Sequence, residues 1–208
     1  MPLNLNKCTL LRVTKKKSVL NFSCTIDGIQ LKESSDVEYL GVTITGCLNW
    51  NTHVANVCAA ARRALWSLRH KLPFAPPSVK LCAYKTLVRP VLESACVAWD
   101  PCTPKNIDEL EKVQRLAVRF ICNRYRRLDS PSDMINSLGL ESLRARRKNM
   151  RLKFLYLMSN NYLNFDPSPY LEHATRRNTR FNHGRLFEPY QSANNIFKYS
   201  FFPRTVVE

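Results

Sequence analysis

Near Asn51 the spacing of apolar residues changes from two to about 3.6, which sets the plan of the chain as strands first and helices afterwards. Residues 8–46 carry the strand half. Cys8–Val13 is mostly β-branched or apolar, Lys15-Lys16-Lys17 makes a polar turn, and the strand pattern resumes from Val19 to Ile26. Asp27-Gly28 is a hairpin signal answered by Ile29-Gln30-Leu31, and a further run from Val37 to Thr45 ends at Gly46. An antiparallel meander of this size needs something to cover one face.

From Asn51 onward, Val54, Val57, Ala61, Ala64, Leu68 and Leu72 form one helical stripe. Pro73 and Pro76-Pro77 end that helix and open another near Ser78, and Pro90 implies a kink between Val79 and Trp99. Thr103-Pro104 reads as an N-cap with proline at the first helical position, leading a helix that buries Ile107, Leu110, Val113, Ala117, Phe120 and Ile121. A last long helix, from about Glu141 to Ser159, is expected to turn Leu143, Met150, Phe154 and Leu157 inward. Beyond Asn160 periodicity fades among prolines and asparagines, so 161–208 is expected to be an irregular tail. The expected class is α+β, a small β-meander over 1–48 followed by helical segments 49–100 and 101–160.

Charge then points to the partner. The chain has 32 Lys and Arg against 16 Asp and Glu, a net +16. The excess is concentrated in the helices: seven basic residues against one acidic over 51–99, and thirteen against seven over 100–160. A bias of this size favours a polyanion, nucleic acid first and an anionic membrane second. No run of 18 apolar residues would span a membrane and the N-terminus lacks the layout of a signal peptide, so an intracellular location, nucleus or cytoplasm, is expected. The eight cysteines form no C-x-x-C pair and read as reduced, mostly core residues.

The phosphate-binding candidates lie on helices: Arg62, Arg63 and Arg69; then Lys112, Arg115 and Arg119 at spacings of three and four; then Arg124, Arg126 and Arg127. Arg144, Arg146, Arg147, Lys148 and Arg151 make a second cluster, with Lys153 beyond it. Such side chains on rigid helices suit backbone contacts, which bind strongly and read little sequence; the plainer role is a solvated face complementing the helix dipole. Tyr125, among arginines, is a stacking candidate, whereas Trp66, Trp99, Tyr84 and Phe120 read as packing residues. Catalytic constellations are poor. Asp108-Glu109 sits in a first helical turn where a structural role suffices, His173 and His183 have no paired thiols for zinc, and no glycine-rich phosphate loop occurs.

Several stretches, in order, resemble the C-terminal half of reverse transcriptases from non-LTR (LINE-type, jockey-like) retrotransposons. Asn4-Leu5-Asn6-Lys7 is similar to palm motif D, and Val37-Glu38-Tyr39-Leu40-Gly41-Val42 to the primer-grip hairpin. Trp50-x-x-His53 resembles the opening of the thumb. Tyr84–Glu93, Ala98-Trp99-Asp100-Pro101, Leu110–Arg115 with Arg119-Phe120, Leu143–Arg147 and Ser200–Thr205 resemble the region beyond, so the likeness spans essentially the whole chain. The resemblance implies that Lys7 matches the lysine proposed to protonate departing pyrophosphate, that Tyr39, Leu40 and Gly41 steady a primer end, and that the thumb helices from Asn51 to His70 hold a template–primer duplex of RNA or DNA through its phosphates. It also implies that the metal-binding aspartates, which hold Mg²⁺ in the parent polymerase, lie before this sequence, so the chain is expected to look cut at both ends and to be inactive alone. The alternative is a domesticated, stand-alone nucleic-acid-binding or protein-interaction module. An orphaned sheet would in turn favour self-association.

Overall fold

A computed structural model describes residues 4, 8–14, 16, 22–173 and 187–208; Lys7 and His183 lie outside them. The chain is α+β, with short strands in the first 45 residues and helices thereafter. Among the described residues the strands form separate two-stranded ladders rather than one sheet. β1 (Thr9–Leu11) pairs with β4 (Lys32–Ser34), and this pair is parallel where a plain meander was expected. Arg12 Nη2 meets Glu33 Oε2 at 3.0 Å beside it. β2 (Thr25–Ile26) and β3 (Ile29–Gln30) make the hairpin that Asp27-Gly28 announces, both turn residues having positive φ.

The run from Val37 to Thr45 is two strands, β5 (Asp36–Tyr39) and β6 (Val42–Thr45), folded back at Leu40-Gly41. β6 is the strand that the helices cover: Val42, Thr43 and Thr45 are buried. The backbone N–H of Thr43 donates to Nδ1 of buried His53 at 3.1 Å, which makes Nδ1 an acceptor and places the ring proton on Nε2. Ile29 and Phe22 are left exposed on the rest of the strand unit.

Helix α1 (Asn51–Lys71) buries His53, Val54, Cys58, Ala61, Leu65 and Leu68, and α5 (Pro104–Cys122) buries Leu110, Val113, Ala117, Val118, Phe120 and Ile121. The two run in the same direction, since Arg62 reaches Glu109 and Arg69 reaches Leu116 seven residues on. Between them α2 (Pro77–Ala83) opens on a proline and widens into a π-helical turn over Tyr84–Val88 before α3 (Arg89–Glu93). Pro90 supplies the reason. It has no N–H to return to the carbonyl four residues back and its ring crowds that carbonyl, so the preceding turn opens. The buried Tyr84 hydroxyl donates to Gln114 Oε1 at 2.8 Å, and burial pushes the phenol's pKa above its ordinary range. Gln114 in turn donates to the Glu141 carbonyl, tying three segments together.

Then follow α4 (Cys96–Trp99), α6 (Pro131–Ser137) and α7 (Leu143–Ser159), the last capped by the Ser142 hydroxyl, which accepts from Ala145 N. One main core joins Val42, α1, Trp99, α5 and Leu143. The tail is not wholly irregular. α8 (Asn195–Lys198) and α9 (Phe201–Val207) end the chain, and Phe201 and Phe202 pack against Leu155, Met158 and Leu171 as a second small core. Among the described residues no helix is long and apolar enough to cross a membrane. Among the cysteines Cys58 and Cys96 are buried and Cys47 and Cys82 exposed; burial pushes the Cys96 thiol up to about 11.

Burial also lowers the His53 pKa, against a smaller opposing effect of Glu38. A histidine harder to protonate when folded contributes stability that is complete above its unfolded pKa, about 6.5, and is lost as pH falls toward the folded value. Thermal melts are therefore expected to show the midpoint falling from pH 7.5 to 5.5, with a flatter dependence in His53→Gln. An equal slope in both proteins would assign the effect to other groups.

Candidate nucleic-acid interface

The basic residues form two groups with opposite fates. The first surrounds the solvent side of α1 and α5. Arg62, Lys112, Arg115, Leu116, Arg119 and Pro131 line an open groove of about 450 Å³. Helical spacing puts Asp108, Lys112, Arg115 and Arg119 on one face of α5, turned from the core that the other faces bury. Arg119 donates to the backbone carbonyls of Arg126 at 3.2 Å and Asp129 at 3.1 Å, and so fixes the loop that follows α5. That loop carries Arg124, Tyr125, Arg126 and Arg127, all exposed. Asn123, in the left-handed conformation, ends the helix and turns the chain into the loop.

The groove is not a bare cation surface. Glu109 accepts from Arg62 at 3.0 Å and from Lys112 at 2.8 Å, and Asp108 accepts from Arg115 at 2.6 Å. Hydrogen bonds from Arg115 and Lys112 to Asp108, and from Lys112 and Arg62 to Glu109, hold both carboxyls below the usual carboxylate range. These pairs are exposed or half-exposed, so solvent screens them and each adds little to stability. No carboxylate pairs with the side chains of Arg63, Arg124, Arg126, Arg127 or Arg144 among the described residues. Arg144 starts α7 on the other flank of α5, its backbone N–H donating to Glu111 Oε1 at 2.8 Å.

The second group corrects an expectation. Arg147 and Arg151, expected to contact phosphates, are 0% and 2% exposed. They occupy the inward stripe of α7 together with Leu143, Leu155 and Met158, while Phe154, expected inward, is exposed. Their counter-charge is Asp100, itself buried: Arg147 Nε reaches Oδ1 at 2.7 Å and Arg151 Nε reaches Oδ2 at 2.9 Å. Arg204 of α9 adds a contact to Asp100 Oδ2 at 3.2 Å, and Arg151 also donates to Thr205 Oγ1 and Glu208 Oε2. Arg146 is spent as well, as a two-pronged pair with Glu93 that includes an Nη2–Oε2 bond of 3.0 Å. Lys148 stays half-exposed, 3.8 Å from Glu208. These residues lock α4, α7 and the C-terminal helices together, and a buried guanidinium cannot meet a phosphate without unfolding that lock.

The primer-grip candidates sit at the β5–β6 turn. Tyr39 pairs with Val42, and Leu40 (φ 49°) and Gly41 (φ 80°) form the two-residue tip, with Tyr39 and Leu40 well exposed. A leucine in the left-handed region costs about 1–2 kcal/mol, and at position 40 no burial offsets it. Among the described residues no three His, Cys, Asp or Glu side chains converge in a way that could hold a metal. Two features escaped the sequence reading. Trp66 is 63% exposed rather than packed, with His70 against it at a ring-centroid distance of 3.9 Å. Arg69 spans α1 and α5, bonding the Leu116 carbonyl and lying 5.9 Å from the Tyr125 ring centre. No protein-family model matches the sequence, and neither a curated protein nor a solved structure matches it.

Proposed function

We propose that this chain binds the sugar–phosphate backbone of a nucleic acid along the α1/α5 groove, as the thumb-like and C-terminal part of a reverse transcriptase of the non-LTR retrotransposon type. The observation that carries the reading is the grouping of cations: Arg62, Lys112, Arg115 and Arg119 line one groove, and Arg119 anchors the loop that bears the exposed Arg124, Arg126 and Arg127. A rigid helix pair holding cations at one-turn intervals can follow a phosphate backbone without reading bases. In this reading Tyr39, Leu40 and Gly41, at the tip of an exposed hairpin, are the part that would touch a primer end.

A second reading, an autonomous nucleic-acid-binding module, is favoured by one observation. Val42 and Ile44 share a single core with the helices, so the β5–β6 hairpin does not rely on strands elsewhere for its cover. A cooperative thermal transition in the monomer would support autonomy; aggregation through the exposed strand unit would argue for a part that needs its neighbours.

Binding should weaken steeply with salt. About five phosphate contacts give a log–log slope near −4.5 on duplex DNA, from the counterions released. Fluorescence anisotropy at 50–300 mM KCl measures it, and a flat dependence would remove the phosphate-binding reading.

A further inference from the structure

Next to the cationic groove, α1 displays a π surface that packing does not explain. Trp66 lies on the solvent side of α1, one turn from both Arg62 and Arg69, with Arg63 and His70 on the same exposed side. The indole is held in place: the His70 ring packs against it at 3.9 Å, and His70 Nδ1 lies 3.0 Å from the Trp66 carbonyl. On the loop after α5, Tyr125, 54% exposed, is met by the Arg69 guanidinium. Two exposed aromatic rings thus flank a cation that bridges α1 and α5.

We infer that Trp66, with Tyr125, is a stacking platform for unpaired bases of a single-stranded segment whose phosphates follow the adjoining arginines. The inference rests on the phosphate-binding reading and adds the substrate class. Bases in a duplex have their faces occupied by neighbours, whereas unpaired bases offer them, and aromatic side chains beside a basic groove are the sequence-tolerant way to hold such bases. An exposed tryptophan could instead cover a hydrophobic partner, but Arg62, Arg63 and Arg69 around it suit a strand that carries negative charge and π faces together. The tilted contact with His70 keeps the indole ordered before the base arrives, so little side-chain freedom is lost on binding.

The test compares wild type, Trp66→Ala and Trp66→Phe on a single-stranded oligothymidylate of ~12 nucleotides and on a duplex of equal length, with tryptophan fluorescence and anisotropy as readouts. Wild type should bind the single strand with quenching, since Trp99 is buried and Trp66 is the most exposed indole. Trp66→Ala should lose most of that quenching and bind the single strand about 10-fold more weakly, with the duplex affected less than about twofold. Trp66→Phe should recover part of the loss, which a merely cationic surface would not require. If Trp66→Ala binds the single strand as tightly as wild type while salt-sensitive binding persists, the platform is wrong and the phosphate groove stands. If wild type binds neither probe, both readings fall. Loss of a dimer in Trp66→Ala with binding unchanged would make this face a self-association surface and overturn the platform as well.

Discussion

Replacing Asp100 by alanine is expected to cost the fold about 3–5 kcal/mol, the penalty for leaving a buried charge without its partner. The carboxylate is 4% exposed, accepts from Arg147 and Arg151, and pairs with Arg204. Arg151 and Arg204 retain Glu208, but Arg147 has no second carboxylate, and its two terminal nitrogens have no acceptor among the described residues. Its charge would sit in the core at 0% exposure with nothing opposing it. Domains are stable by only about 5–15 kcal/mol, so the loss is a large fraction of the total. Urea unfolding followed by circular dichroism measures it. Asp100→Asn should be nearly as damaging, because the amide keeps a hydrogen-bond acceptor but not the charge. Asp100→Leu combined with Arg147→Met should recover much of the loss, since an apolar pair of similar volume is often neutral in place of a buried ion pair. If Asp100→Ala stayed within about 1 kcal/mol of wild type, the Asp100 network would not be what holds α4, α7 and α9 together.

That network also shows where a sequence stops being legible. Helices α1 and α5 declare themselves through period: the residues expected to face inward on α5 are buried or half-buried, and the proline breaks fall at the joints. The hairpin tip at Asp27-Gly28 follows from the sequence, whereas the alternation reads Val37–Thr45 as one run and does not show the turn at Leu40-Gly41. Helix α7 defeats the same reasoning, because two of its five buried positions are arginine. Hydropathy assigns arginine to solvent, and what reverses the assignment is Asp100, 47 residues before Arg147. No local pattern records that pairing. An expectation built from hydropathy alone therefore rotates the helix and counts core cations as phosphate ligands. Trp66 fails in the opposite sense. Its type suggests a core, but it lies on the side of α1 away from Val54, Ala61 and Leu65. The docking of α9 was illegible for the same reason as α7: its anchors are Asp100 and Arg151, both distant in sequence.

The structure consequently changes which charge reversals can test binding. Reversing Arg147 would measure folding, because the side chain is core. Arg124, Arg126 and Arg127 are exposed on the loop after α5, and no carboxylate engages their side chains among the described residues. The loop is held instead by backbone groups: Arg119 donates to the Arg126 and Asp129 carbonyls, and Arg126 N–H donates to Asp129. Changing these three side chains to glutamate should leave the urea midpoint nearly unmoved, as surface substitutions away from specific partners shift stability by about ±0.5 kcal/mol. The effect on nucleic acid should be much larger. Each lost phosphate contact removes about 0.9 from the log–log salt slope, so three contacts lower its magnitude by about 2.7 and weaken binding on the order of 10²-fold near 0.1 M salt. If the contacts are to backbone, as proposed, the loss should be equal across unrelated sequences. A variant that folds as wild type but keeps its affinity and slope would take this loop out of the interface, leaving the groove cations Arg62, Lys112 and Arg115 to bind alone. A loss confined to one sequence would show base reading, which a phosphate-tracking helix pair does not provide.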